Sequence, residues 1–197
     1  MKYMHHNMIV MLTIVLFITA CSNGKRIKEV SDVEPGDFKK YAGTYVGNNS
    51  DVVAIVNHLP GGETFQSISL ENESIKVNYG AKENGPFTGD MVETYWFDGK
   101  DTMKKNFLFN IIYLVVLVPN ANTYEFQVEN IRFMMKREEI LSILHEKFDD
   151  FPKEDDIWDK KKVVKFLNDN NEKIKMLVDD KDFRKSLFAK YSVQQLK

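Results

Sequence analysis

Apolar and polar positions change rhythm several times along the chain, and each change predicts an element. Residues 8–20 are almost unbroken apolar side chains, preceded by Lys2 and two histidines, with no acid before them. A membrane-spanning helix needs about 20 apolar residues. This run is too short and predicts a cleavable secretory signal over residues 1–20. The following stretch, SNGKRIKEVSDVEPGD, is polar and charged with a Pro-Gly near its end, which predicts a flexible tether over residues 21–37. Val52, Val53, Ile55 and Val56, preceded by Asn49 or Ser50 as a cap and followed by Pro60-Gly61-Gly62, predict a short helix. Residues 64–70 and 74–79 alternate and predict a hairpin through Glu71-Asn72-Glu73. Residues 80–90 hold three glycines and Pro86 and predict a loop. Residues 91–97 then predict a third strand, with a turn at Asp98-Gly99.

Residues 107–118 are the most apolar stretch after the leader. As a helix they would run only about 18 Å, well short of a bilayer, so they predict an element buried in protein. Periodicity leaves a core helix and a long central strand both open there. Residues 123–128, with Tyr124, Phe126 and Val128 on one face, and residues 131–135 predict two further strands. REEILSILHEKF predicts a helix with Ile140, Leu141, Leu144 and Phe148 on one side and acids in its first turn. Beyond Pro152, EDDIWDKKKVVKFL, NEKIKMLV and DKDFRKSLFAKYSV predict three amphipathic helical pieces that pack on the domain. The expected architecture is α+β. A small antiparallel or mixed sheet with packed helices occupies residues 38–150, and a C-terminal helical extension occupies residues 151–197.

The single cysteine, Cys21, stands where the apolar run ends. Ile18-Thr19-Ala20-Cys21 resembles the lipobox of bacterial lipoproteins, in which a branched residue and two small ones precede the cysteine. The resemblance implies a diacylglycerol on the Cys21 sulfur, cleavage before Cys21, and acylation of the new amino terminus. One acyl chain binds membranes marginally, whereas two, at about 0.8 kcal/mol per buried CH₂, hold a protein stably. Cys21 is therefore the expected lipid-attachment residue, and the expected location is the outer face of the cell membrane. After cleavage no thiol is left for a disulfide, so stability must come from a hydrophobic core. Lys and Arg number 27 against 29 Asp and Glu, for a formal net charge of −2. That balance gives no basic footprint for nucleic acid.

Tyr45-Val46-Gly47-Asn48-Asn49-Ser50, Leu59-Pro60, the Asn-led run at 106–118, Thr123 to Phe126 as Thr-Tyr-Glu-Phe, and Arg137-Glu138 together resemble an extracytoplasmic domain of Gram-positive bacteria, domain of unknown function 4825. The resemblance covers roughly residues 41–144. It implies occurrence as free lipoproteins and attached to membrane peptidases similar to the antibiotic-sensing receptor BlaR, and it implies no chemistry. It favours helix for residues 107–118. The stretch at 80–101 is longer than in the family.

Candidate chemistry is sparse. Once the leader is removed, His58 and His145 are the remaining histidines, and neither sits in a zinc-binding spacing. G-x-S-x-G, Walker and Rossmann patterns are missing from the sequence. No cofactor, metal or catalytic residue is therefore expected. Asp149-Asp150 and Glu154-Asp155-Asp156 could hold calcium but lack EF-hand spacing, and helix-start acids explain them more simply. Tyr95-Trp96-Phe97 could form an aromatic contact patch, and Lys160-Lys161-Lys162 could touch anionic lipid. The expected function is a non-catalytic, membrane-anchored surface lipoprotein that binds a small ligand or an envelope protein, accessory to a sensor. Two alternatives are an envelope hydrolase using carboxylates such as Glu93 and Asp98, and an inhibitor or immunity protein working through an edge strand.

Overall fold

The computed structural model describes residues 25–196; the expected signal segment and lipobox, with Cys21, lie outside the described residues. The protein is α+β, built on one mixed five-stranded sheet. Strands β1 (Phe65–Ser69) and β2 (Ser74–Tyr79) form the expected antiparallel hairpin. Strand β3 (Thr123–Val128) then pairs parallel to β2, and β4 (Ile131–Lys136) returns antiparallel to β3. The two-residue β5 (Gln194–Gln195) closes the β4 side, giving the order β1-β2-β3-β4-β5. A parallel pair needs a long crossover. Here it is helical, made of α2 (Gly89–Trp96) and α3 (Thr102–Leu117).

Residues 107–118 are thus mostly helix, not strand. Every residue from Asn106 to Leu117 is buried, and a helix that is apolar all round must be covered all round. On one side Phe107 stacks on Phe126 of β3 at 5.3 Å and lies 6.2 Å from Phe133 of β4. Other sides meet α4 (Arg137–Lys147), α5 (Lys160–Asp179) and α6 (Lys181–Lys190). The sheet offers this core Ile75, Val77, Tyr79, Tyr124, Phe126, Phe133 and Met135, all buried. Its other face carries Lys76, Asn78, Glu125, Gln127 and Arg132, as a sheet with one covered face does. Helix α1 (Asn49–His58) has the side chain of Asn48 as its cap, accepting from the Asp51 N–H at 3.3 Å. The cap falls one residue before the expected pair.

Three expectations are corrected. Residues 91–96 belong to helix α2, which Phe97 ends, and are not a strand: the Thr88 hydroxyl caps the helix by accepting from the Met91 N–H at 3.3 Å, and Val92 and Trp96, four apart, are both buried. Helical spacing and a cap outweigh the β-favouring composition. Asp98-Gly99 accordingly bends the chain from α2 into α3 and makes no hairpin. The second correction concerns residues 25–37, which lie against the domain. Ile27 and Val33 are buried, residues 30–32 form a short 3₁₀ turn, and the Pro-Gly opens a second one, Pro35–Tyr41. The third concerns the C-terminal pieces, of which the first two fuse into the single helix α5. A kink at Asp180 follows, whose carboxylate caps α6 by accepting from the Asp182 and Phe183 N–H groups at 3.0 Å. Arg184 of α6 is buried, donates to the Val178 carbonyl at 2.6 Å, and lies 3.6 Å from Asp101 at the head of α3.

Candidate functional site

Among the described residues, a mainly apolar cleft lies at residues 25–29, where the described chain begins. It is open, with a volume of about 460 Å³, within the range of small-molecule sites. Lys25, Arg26, Ile27 and Glu29 form one wall; Phe87 and the Asp90, Met91, Thr94 and Tyr95 face of α2 form the other. Positions i, i+1, i+4 and i+5 share one side of a helix. The opposite side of α2 sends Val92 and Trp96 into the core.

Both walls are fixed from behind by a web of hydrogen bonds around the Leu59-Pro60-Gly61-Gly62 turn. The Lys28 carbonyl accepts from the Gly61 N–H at 3.0 Å and from the Tyr95 hydroxyl at 2.5 Å. The Lys28 N–H donates to Glu63 Oε2 at 2.9 Å, and its ammonium to the His58 carbonyl at 3.0 Å. Asn106 of α3 donates to the Tyr95 oxygen at 2.9 Å. Trp96 Nε1 donates to the Thr64 hydroxyl at 3.1 Å, which itself donates to the Gly61 carbonyl at 2.7 Å. Asn110 donates to the Pro60 carbonyl at 3.1 Å and to the Tyr79 oxygen at 3.2 Å. Gly61 turns at φ +79°, where a Cβ would overlap the Trp96 ring, and a Cβ on Gly62 would stand 2.6 Å from the Val56 and Asn57 carbonyl oxygens. The turn is therefore closed to larger residues.

The chemistry on offer is binding. Burial pushes the Tyr95 phenol well above its usual range, outweighing the opposing Asn106 hydrogen bond. Its proton is committed to Lys28. At the rim, Arg26 pairs with Asp32 at 2.5 Å. What faces the cleft is chiefly exposed Met91, over buried Ile27 and Phe87, with a mixed-charge border.

Of the residues singled out in the sequence, Tyr95 lines this cleft and the others are placed elsewhere. Glu93 is exposed and lines a separate cavity of about 520 Å³ with Asp90, Phe97, Glu129 and Asn130; Asp98 is not part of it. The Asp98 carboxylate accepts from the Lys100 N–H at 2.8 Å and the Thr102 hydroxyl at 2.7 Å, at the head of α3. Burial works to raise that carboxyl, and these hydrogen bonds outweigh it, holding it below the usual carboxylate range. Asp98 therefore serves as a structural acceptor. His58 Nδ1 lies 2.7 Å from the Ala54 carbonyl in the last turn of α1, and exposed His145 meets the edge of Phe151. Of the acids at 149–156, Asp150 accepts from Asn170 at 2.8 Å and Asp156 pairs with Lys162 at 2.6 Å. Among the described residues, no group of three or more His, Cys, Asp or Glu is arranged to hold a metal ion. Trp96 is core, while Phe97 is half-exposed. Strand β1 forms one edge of the sheet, the position an edge-strand inhibitor would use.

The profile of one protein family, Domain of unknown function (DUF4825), matches residues 38–140. The chain belongs to this family. Its DUF4825 region spans α1 to the opening of α4 and contains Gly61, Tyr95, Trp96, Asn106 and Asn110 of the web. It leaves out Lys25 to Glu29 on the cleft's other wall, and α5 and α6. Comparison with curated proteins and with solved structures returns no match.

Read as a strand, residues 91–97 put Met91 and Thr94 on opposite faces, so the sequence pattern alone does not reveal the cleft. Thr88, four residues before Val92 and eight before Trp96, is the signal that finds it.

Proposed function

We propose that the protein is a surface lipoprotein held on the outer face of the cell membrane by lipid on Cys21, and that its DUF4825 domain is a non-catalytic binding module, accessory to an envelope sensor, using the cleft between residues 25–29 and α2. The observation that carries this reading is the cleft itself. It is a preformed, mainly apolar site on a helix and a pinned segment, and it opens where the chain arrives from the lipobox. Apolar walls with a few fixed polar groups are what a binding site needs.

Growing cells with a clickable palmitate analogue tests the anchor. Wild-type protein is expected to carry the label and to sediment with membranes, and Cys21→Ala to lose both. An unlabelled wild-type protein in the cytosol at full precursor mass would contradict the reading.

A further inference from the structure

We propose that the occupant of the cleft is the bilayer itself: the domain lies on the membrane with the cleft face down, exposed Met91 meets the acyl region, and Lys25 and Arg26 meet anionic headgroups. The inference rests on the lipid anchor of the preceding section and deepens it by naming the surface engaged.

Chain length carries the argument. Lys28 is fixed in the domain by four hydrogen bonds. Lys25 already borders the cleft. Four peptide steps separate Lys25 from Cys21, and fully extended they reach about 14 Å. A domain of this size has a radius of gyration of about 16 Å, so the connection is shorter than the body it would have to lift. Whichever face contains Lys25 must therefore lie close to the lipid that holds Cys21. That face carries the cleft, and beside it Met91, a large apolar side chain 46% exposed. The lining residues nearest Cys21 in sequence are cationic, Lys25 and Arg26, and the acids of the lining, Glu29 and Asp90, come later in the chain. Apolar surface with adjoining cations is what interfacial binding uses. The lysines at 160–162 are a poorer candidate, since they open α5, far along the chain from Cys21.

Among the described residues three exposed methionines make the test internal: Met91, Met134 at 47% and Met176 at 65% exposure. Lipidated protein purified from membranes is reconstituted on vesicles of phosphatidylglycerol and phosphatidylcholine and treated with dilute peroxide. Sulfoxide is then quantified at each position by peptide mass spectrometry. Unlipidated chain of residues 22–197, which keeps every described element, is the free reference. Met91 is expected to oxidise at least threefold more slowly on the vesicles than in the reference, with Met134 and Met176 unchanged. Equal Met91 rates, or protection of Met134 or Met176 in its place, would overturn the docking while leaving the anchor intact. Met91 protection that rises with reference concentration in the absence of vesicles would make a second copy the occupant and overturn it as well. A protein without palmitate label removes the anchor and the docking together.

Discussion

Gly61 sits at φ +79° against the face of Trp96, with its N–H given to Lys28 and its carbonyl to Thr64. Two separate constraints meet at this residue. A side chain there must occupy left-handed backbone, and it must displace an indole that is buried and hydrogen-bonded to Thr64. Gly99 provides the contrast, with φ +73° and open space where its Cβ would go. Gly99→Ala should cost only the backbone strain, about 1–2 kcal/mol. Gly61→Ala should cost about 2–5 kcal/mol, strain plus overpacking. Urea midpoints of the two variants check this, with equal losses counting against the Trp96 contact. The Pro-Gly-Gly of the sequence was legible as a helix stop. Its packing against Trp96 was not, because the partner lies 35 positions away on an element of misread type.

At the scale of elements, the sequence was readable where a single face decides. Val52, Ile55 and Val56 point one way on α1, and the alternation of Tyr124, Phe126 and Val128 places β3 correctly. The apolar run of α3 was ambiguous by its own pattern, because an element buried on every side has no polar face to set a period. Its surroundings decide it, with the sheet beneath and α5 above. The failure at α2 has the opposite cause: Tyr95-Trp96-Phe97 favour strands by composition, whereas Thr88 and the Val92–Trp96 spacing impose a helix. Residues 25–37 were misjudged on average polarity. Two apolar side chains, Ile27 and Val33, and backbone hydrogen bonds from Lys28 suffice to fix that segment. The cleft was invisible for the same two reasons, since one wall was read as tether and the other as strand.

Among the described residues, Tyr79, Tyr113 and Tyr124 are buried and Tyr95 is partly so, and burial pushes each phenol upward. For Tyr124 the shift reaches about 12, with Arg137 pulling partly against it. An unfolded phenol titrates near about 10. Because the folded values are raised, this contribution is fully present below about pH 10 and is lost as pH climbs through about 12. Urea stability should be level between about pH 8 and 9.5, then fall with a slope of up to about 1.4 kcal/mol per pH unit for each tyrosine exposed. Tyrosinate absorbance appearing in step with unfolding would confirm it; titration of these phenols in the folded protein near their ordinary value would contradict it.

The central claim is that residues 25–37 belong to the folded domain, held to it by Lys28, Ile27 and Val33. Hydrogen exchange of lipidated protein on vesicles, read on peptides covering residues 25–37 and on the Gly61 amide, tests it directly. The account expects Lys28, Asp32, Val33 and Gly61 amides to exchange orders of magnitude more slowly than an unstructured chain. Exchange of the whole 25–37 stretch at the free-peptide rate would restore a long tether and contradict the account.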